Sequence, residues 1–312
     1  MKQLKLIITE EMNGQVLEKV IKKYLGLSKK QISQAKFRSG GITINGNQVR
    51  TTYVCQLGEK LRVCVDKDRE DTGKVVPGTG ALDILYEDED VIVLDKPGGI
   101  PCHPGRGHYE DSLGNRLAAY FVEKGEHTLV RPVGRLDRDT SGIMLYAKNQ
   151  IAAARLCLQK QDGVFQKEYL ALVEGCFHTK TGQIKMPIGK IPEEKMKMCV
   201  NEKGKSADTQ YEVLETFLIE GKFYSLVGCR IATGRTHQIR VHMAWMGHPV
   251  VGDVLYGHDG EGQVNPFFTG LGLHAERVSF QQPYTGKKIV IENVPKHWFL
   301  EDIRKKGLTR QI

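Results

Sequence analysis

The first sustained hydrophobic period along the chain is helical. In GQVLEKVIKKYLG the apolar residues Val16, Leu17, Val20, Ile21 and Tyr24 recur at helical spacing, while Glu18, Lys19, Lys22 and Lys23 fall elsewhere. Gly26 is a stop signal for that helix, and Ser28 is an N-cap for a second, SKKQISQAKFR, made strongly basic by Lys29, Lys30, Lys36 and Arg38. After Gly40-Gly41 the stretch ITINGNQV sets two short β-branched runs around Asn45-Gly46, a pair suited to a two-residue hairpin turn. TYVCQLGEKLRVCV supplies further strand, and DKDREDTGKVVPGTGA, residues 66–81, is charged, then Gly/Pro-bearing, with no apolar period, and reads as a linker.

From residue 82 the period switches between two and 3.6. LDILYEDEDVIVLDKP predicts two strands around an acidic turn, and SGIMLYAK another strand. NQIAAARLCLQKQ predicts a helix capped by Asn149. EYLALVEGCF, ADTQYEVLETFL and KFYSLVGCRI are strands, and a last major helix begins near Thr236 in RTHQIRVHMAWMG. Strands that follow one another without regular βαβ alternation predict an α+β fold with a largely antiparallel mixed sheet. The organisation expected is a small basic α+β domain at 1–65, a linker at 66–81 and a larger domain at 82–305.

Charge adds a functional clue, because it is unevenly placed. Residues 1–65 hold twelve Lys or Arg and four Glu, a net +8 that equals the formal charge of the whole chain, so the remaining 247 residues balance. A basic module on a neutral body suits a polyanion such as nucleic acid; a solvated lysine face is the bland alternative. No apolar run approaches the roughly 18 residues of a membrane span, and the N-terminus lacks the apolar core of a leader, so the expectation is a cytoplasmic protein with no membrane partner. The seven cysteines are odd in number, scattered and free of C-x-x-C pairs, and read as reduced thiols.

Four segments of the larger region carry residues that strand and helix propensity do not demand. They are DKPGGIPCHPGRGH from Asp95 to His108, GRLDRDTSGIML from Gly134 to Leu145, QKEYLALVEG from Gln166 to Gly175, and ATGRTHQIRVHMAWMGHPVVGDVLYG from Ala232 to Gly257. Read alone, Asp137 and Asp139 would be turn acids, Tyr169 core packing with a polar tip, and the lysines structural. His237 and His242 lie five apart, not the four that puts two ligands on one helical face, and no cysteine or glutamate completes a zinc pattern. That spacing argues against a metal-dependent hydrolase, and the histidines are expected to bond backbone or phosphate.

In this order and spacing the four segments resemble the RluA/RluD-type pseudouridine synthases. Lys96, Pro97, Gly99, His103 and Pro104 carry the first motif, and Arg135, Leu136, Asp137, Thr140, Ser141 and Gly142 the second. Lys167, Tyr169, Val173 and Gly175 carry the third, and the fourth is matched nearly throughout from Thr233 to Asp253. The resemblance covers about residues 82–295, and one departure is Gly134, where many members have His or Asn. The order of elements at about 14–65 in turn resembles a small RNA-binding domain first known from a ribosomal small-subunit protein.

The resemblance implies an isomerase that detaches uracil from its ribose and rejoins it through carbon. Nothing is oxidised, hydrolysed or donated, so it implies no cofactor and no metal. It puts the essential carboxylate on Asp137, with Arg240 as the arginine that pairs with it and Tyr169 as the ring against the target base. Arg135, His103, Lys167, Arg235 and His237 are expected substrate-binding residues, and Asp139 is left with the turn. The partner implied is structured RNA, large-subunit ribosomal RNA before transfer RNA, acted on by a monomer. A catalytically idle RNA-binding or ribosome-assembly factor is the alternative from another class, and the intact Asp137, Tyr169 and Arg240 speak against it.

Overall fold

The computed structural model describes residues 2–65, 75–105, 107–126, 128–191, 194, 197–257 and 270–295. Most of the predicted linker, 66–74, and the end of the predicted larger domain, 296–305, lie outside the described residues.

The N-terminal unit runs β1 (Lys2–Ile7), α1 (Leu17–Leu25), α2 (Lys29–Lys36), β2 (Ile42–Ile44), β3 (Asn47–Gln48) and β4 (Lys60–Val65). Its strands form an antiparallel sheet in the order β1-β4-β2-β3. The predicted caps are present: Gly26 ends α1 in the left-handed region, and Ser28 and Gln31 close a reciprocal capping box at the start of α2. The predicted hairpin turns at Asn45 and Gly46, both with positive φ. Two expectations shift. TYVCQLGEKLRVCV contributes strand only over β4, because its first half turns where the Gln56 amide donates to Glu59. Strand β1, unread in the sequence, pairs along the whole of β4.

The larger region follows with β5 (Asp83–Glu87), β6 (Val91–Lys96), α3 (Leu113–Glu123), β7 (Arg131–Pro132), β8 (Ser141–Ala147), α4 (Gln150–Gln161), β9 (Gln166–Glu174) and β10 (Thr181–Ile184). Then come β11 (Ile188–Lys190), β12 (Met198–Val200), β13 (Thr209–Ile219), β14 (Lys222–Ile231), α5 (Gln238–Trp245), β15 (Leu273–Gln281) and β16 (Lys288–Glu292). Strands β11 and β12 form a separate ribbon; the others form one sheet, with the path β10-β13-β14-β9-β15-β8-β6-β5, β16 beside β15 and β7 beside β8. Its pairings are antiparallel except β15 with β8, so the fold is α+β with a large, mostly antiparallel mixed sheet. The parallel contact is close: a Cβ on Gly142, at φ +101°, would sit 2.3 Å from the Ala275 carbonyl oxygen.

Alternate residues of the central strands enter different cores, which is why these strands read as continuous apolar runs. Ile92, Leu94, Met144, Tyr146, Tyr169 and Ala171 face a core shared with α3. Val91, Val93, Ile143 and Leu145 face another, closed by Ala152 and Leu156 of α4. Helix α4 also offers Ile151 to the core of the N-terminal unit, and Ala154 and Leu158 to Gly26, so it is apolar on two sides.

This scaffold fixes the loop from Val133 to Thr140. Lys96, at the end of β6, is fully buried and its ammonium donates to the carbonyls of Pro97, Ile100 and Arg138 at 2.7–2.8 Å. Burial pushes this ammonium down to about 8, opposed by the Cys102 thiol and the carboxylates of Asp139, Asp137 and Asp95. Cys102, also buried, donates its thiol to the Leu136 carbonyl and accepts from the Leu136 amide at 3.3 and 3.2 Å. The Cys102 carbonyl in turn accepts from the Tyr146 hydroxyl at 2.6 Å and from the Gly114 amide of α3 at 3.1 Å. Helix α3 is tied to β5 because Glu87 accepts from Tyr120, Lys124 and Lys148.

Two stability predictions follow from these anchors. Lys96→Met keeps the apolar stem but strands three carbonyls, and should cost on the order of 3 kcal/mol; an unchanged denaturation midpoint would show that the clamp holds nothing. Burial would raise the Glu87 carboxyl, but hydrogen bonds from Lys148, Tyr120 and Lys124 outweigh that and hold it at about 2, below its ordinary 4.5. A depressed folded-state value stabilises the fold above the unfolded value, and that stabilisation is lost as pH falls through the folded one. Wild type should therefore exceed Glu87→Gln by roughly 2 kcal/mol at neutral pH, with the gap closing from about pH 4.5 toward pH 2. Denaturant titrations at pH 7 and pH 3 with equal gaps would contradict this.

Candidate active site

A cleft of about 650 Å³ opens where the Val133–Thr140 loop, the start of β9, the end of β14 and the loop before α5 meet. Asp137, Arg135, Lys167, Tyr169, Arg235 and His237 line it together. Of the expected site residues, His103 and Arg240 are not in this lining. His103 is exposed and its Nδ1 lies 3.1 Å from the carbonyl of Pro104, so its ring is held by its own turn rather than by the cleft.

The side chain of Asp137 is 17% exposed, and an Oδ1 lies 3.8 Å from the Arg135 guanidinium. Arg135 is itself 71% exposed, so this pair is long and solvated. Asp139 pairs with its neighbour Arg138 at 3.0 Å and is not in the lining. Tyr169 sits in the middle of the sheet, opposite Cys229 on one side and Ala275 on the other. Burial, reinforced by the Asp137 carboxylate, raises its hydroxyl far above the ordinary tyrosine value, so the ring is neutral at any physiological pH. Lys167, expected to contact substrate, donates to the Ile143 carbonyl at 2.9 Å, and burial pushes it down to about 8.

The other wall is organised by Gln238. Its carbonyl oxygen accepts from the Thr233 hydroxyl and the Arg235 amide, and its amide donates to the Asp208 carbonyl and Thr209. The preceding His237 is held at φ +56°, a conformation uncommon for a side-chain-bearing residue, so the helix starts at Gln238, two residues later than predicted. The His237 Nδ1 lies 2.9 Å from the Tyr256 hydroxyl, which also accepts from the Met198 amide. Burial lowers the His237 imidazole, with the Asp137 carboxylate opposing, which favours a neutral ring. Arg235 donates its Nε to the Ser206 carbonyl at 2.8 Å.

Arg240 departs from the expected pairing. Its guanidinium forms a buried bidentate ion pair with Asp253 at 2.6 and 2.7 Å, and its carbon lies 5.2 Å from the centre of the Tyr256 ring. The reason is reach and burial: the Asp253 side chain is fully enclosed beside it and is further fixed by the Leu255 and Tyr256 amides. Burial would lower the Arg240 guanidinium, but Asp253 first and Asp137 after it raise it, so its charge still acts on the Asp137 carboxylate without touching it. Two other motif histidines bond backbone as expected: His242 to the Met186 carbonyl and His248 to that of Glu174.

Cys102, Gln238, Asp253 and Tyr256 were not assigned roles from sequence, nor was Lys160, at the cleft rim. Cys102 lies within the first segment, and Gln238, Asp253 and Tyr256 within the fourth, so position beside candidate residues was the available signal.

Comparison with known proteins fits this geometry. The family model for RNA pseudouridylate synthase matches residues 90–245. The RNA pseudouridine synthase YlyB of Bacillus subtilis is 34% identical over 98% of this chain and 100% of its own length. The ribosomal large subunit pseudouridine synthase D of Yersinia pestis is 33% identical over 91% of this chain and 88% of its own. Among solved structures, human RNA pseudouridylate synthase domain containing 1 superposes with a TM-score of 0.60 at 28% identity, covering 75% of this chain and 91% of its own. With the family match lying across the cleft and relatives of this identity spanning nearly all of its length, the chain belongs to the RNA pseudouridylate synthases, isomerases that act on RNA.

Proposed function

We propose that this enzyme isomerises uridine in large-subunit ribosomal RNA, with Asp137 as the essential carboxylate and the N-terminal unit as an RNA-binding domain. The observation that carries the reading is the convergence of Asp137, Tyr169 and His237 on one cleft whose walls are pinned from behind. A single carboxylate suits the chemistry: the base leaves and returns to the same ribose, so there is no water to activate, whereas glycosidases need a second acid for that purpose. Whether Asp137 attacks carbon or removes a sugar proton, the cation beside its carboxylate is Arg135 at 3.8 Å.

The target uridine has to leave its stack to reach Asp137, and the neutral ring of Tyr169 in the same lining is the side chain we assign to pack on the flipped base. The turn that leads into His237 is held by the bonds of the Thr233 hydroxyl and the Arg235 amide to Gln238, and the His237 ring by Tyr256, so this wall is set before substrate arrives. The substrate class rests on relatives named ribosomal large subunit pseudouridine synthase D, in Neisseria meningitidis at 35% identity over 92% of this chain and in Pseudomonas aeruginosa at 32% over 94%. The binding role of the N-terminal unit rests on the exposed Lys29, Lys30 and Lys36 of α2.

On a pseudouridine-free transcript of large-subunit ribosomal RNA, Asp137→Asn should lower kcat by about 10⁴-fold or more while RNA affinity stays near wild type. Pseudouridine mapping that finds the variant still converting the transcript would exclude Asp137 from the role, and product confined to another RNA class would exclude the substrate. Replacing Lys29, Lys30 and Lys36 together by Gln should raise KM with little change in kcat and flatten the logarithmic salt slope of binding by about 2–3. An unaltered slope would mean that α2 does not meet phosphate.

A further inference from the structure

Lys160 occupies an unusual place at the cleft rim. It is exposed at the C-terminal end of α4, and its Nζ comes within 3.2 Å of where a Cβ on Gly134 would stand and 3.6 Å of where one on Gly234 would stand. These two glycines precede Arg135 and Arg235, in the loops that carry Asp137 and His237. The ammonium therefore lies in the gap between the two walls of the site, and the gap exists because neither loop has a side chain there.

The cleft lining holds five basic side chains, Arg135, Lys160, Lys167, Arg230 and Arg235, against two acids, Asp137 and Asp162. Four of the cations are engaged: Arg135 faces Asp137, Lys167 bonds the Ile143 carbonyl, Arg230 pairs with Glu168 at 3.0 Å, and Arg235 bonds the Ser206 carbonyl. Lys160 has no ion-pair or hydrogen-bond partner among the described residues. An unpaired ammonium over a cationic rim is repelled by its neighbours, and an anion at that point relieves the repulsion. The substrate of this family brings such an anion next to each nucleoside, as a backbone phosphate.

We infer that Lys160, seated over Gly134 and Gly234, binds an RNA phosphate adjoining the target uridine and so positions the flipped nucleotide over Asp137. This rests on the proposed active site and adds a substrate contact to it. It also gives Gly134 a meaning: a Cβ there would crowd the ammonium at 3.2 Å, so glycine at 134 and lysine at 160 work as a pair.

The test uses the full-length enzyme and the pseudouridine-free large-subunit transcript, with equilibrium binding followed as a function of potassium chloride. Lys160→Gln should weaken binding several-fold, flatten the logarithmic salt slope by about one, and raise KM more than it lowers kcat; Lys160→Arg should restore all three. Gly134→Asn, with a residue that tolerates positive φ, should reproduce Lys160→Gln, and the double variant should be no worse than either. A wild-type slope in Lys160→Gln, or fully additive effects of the two substitutions, overturns the inference, as would a wild-type enzyme whose binding is independent of salt. Because the slope is read without turnover, an active Asp137→Asn would refute the catalytic assignment while leaving this result separately legible.

Discussion

The cleft depends on a loop held at two points, one on each side of Asp137. Cys102 fixes Leu136 through both its amide and its carbonyl, and Lys96 fixes the carbonyl of Arg138, which leaves Asp137 as the one residue between two anchored neighbours. A buried ammonium is costly to desolvate, and the cost is bearable here because three carbonyls converge on it with short bonds. Once such a clamp forms it resists deformation, since moving the loop would strand the charge. The large sheet makes the convergence possible: β6 ends at Lys96 and pairs with β8, which begins where the loop ends. Two packed cores, one on each face of these strands, keep that registry from slipping.

The opposite wall solves the same problem differently. Arg240 and Asp253 form an enclosed ion pair, and Tyr256 packs against the guanidinium and reaches the His237 ring. Fixing His237 at positive φ costs backbone energy, of the order of 1 kcal/mol. Bonds to Gln238 from the amide of Arg235 and the hydroxyl of Thr233 hold the turn that leads into it. The arginine thus acts on the aspartate through space, from a helix whose leading turn is fixed by Gln238.

Features governed by neighbours in sequence were legible beforehand. The Ser28 and Asn149 caps, the Asn45-Gly46 hairpin and the apolar runs of β6, β8 and β9 are each set by a few adjacent residues. The four segments of the larger region were likewise readable, and all of Asp137, Tyr169, Lys167, Arg135, Arg235 and His237 meet in one cleft. What escaped was tertiary. Helix α3 is capped by Ser112 and Asn115, a weaker signal than Ser with Glu or Gln, and it became evident only because its face closes a core. The choice of Asp253 over Asp137 by Arg240 is decided by a loop closing behind α5, and no spacing rule encodes that closure. His103 was grouped with the site by its motif, yet its turn keeps it on the surface.

Helix α4 links these local arrangements. One side of it, through Ala152 and Leu156, completes a core of the large sheet, and another, through Ile151 and the contact of Ala154 and Leu158 with Gly26, closes the N-terminal unit. Its first residue, Gln150, meets Gln31 of the basic helix α2, and its last turn, with Lys160 and Gln161, lines the cleft. A helix of twelve residues spans roughly 18 Å, so the basic face and the cleft rim are held that far apart by one rigid element rather than by the connecting segment. RNA engaged by α2 would then meet the cleft at a set distance, and unstacking one nucleotide would cost less binding energy than if the two surfaces moved independently.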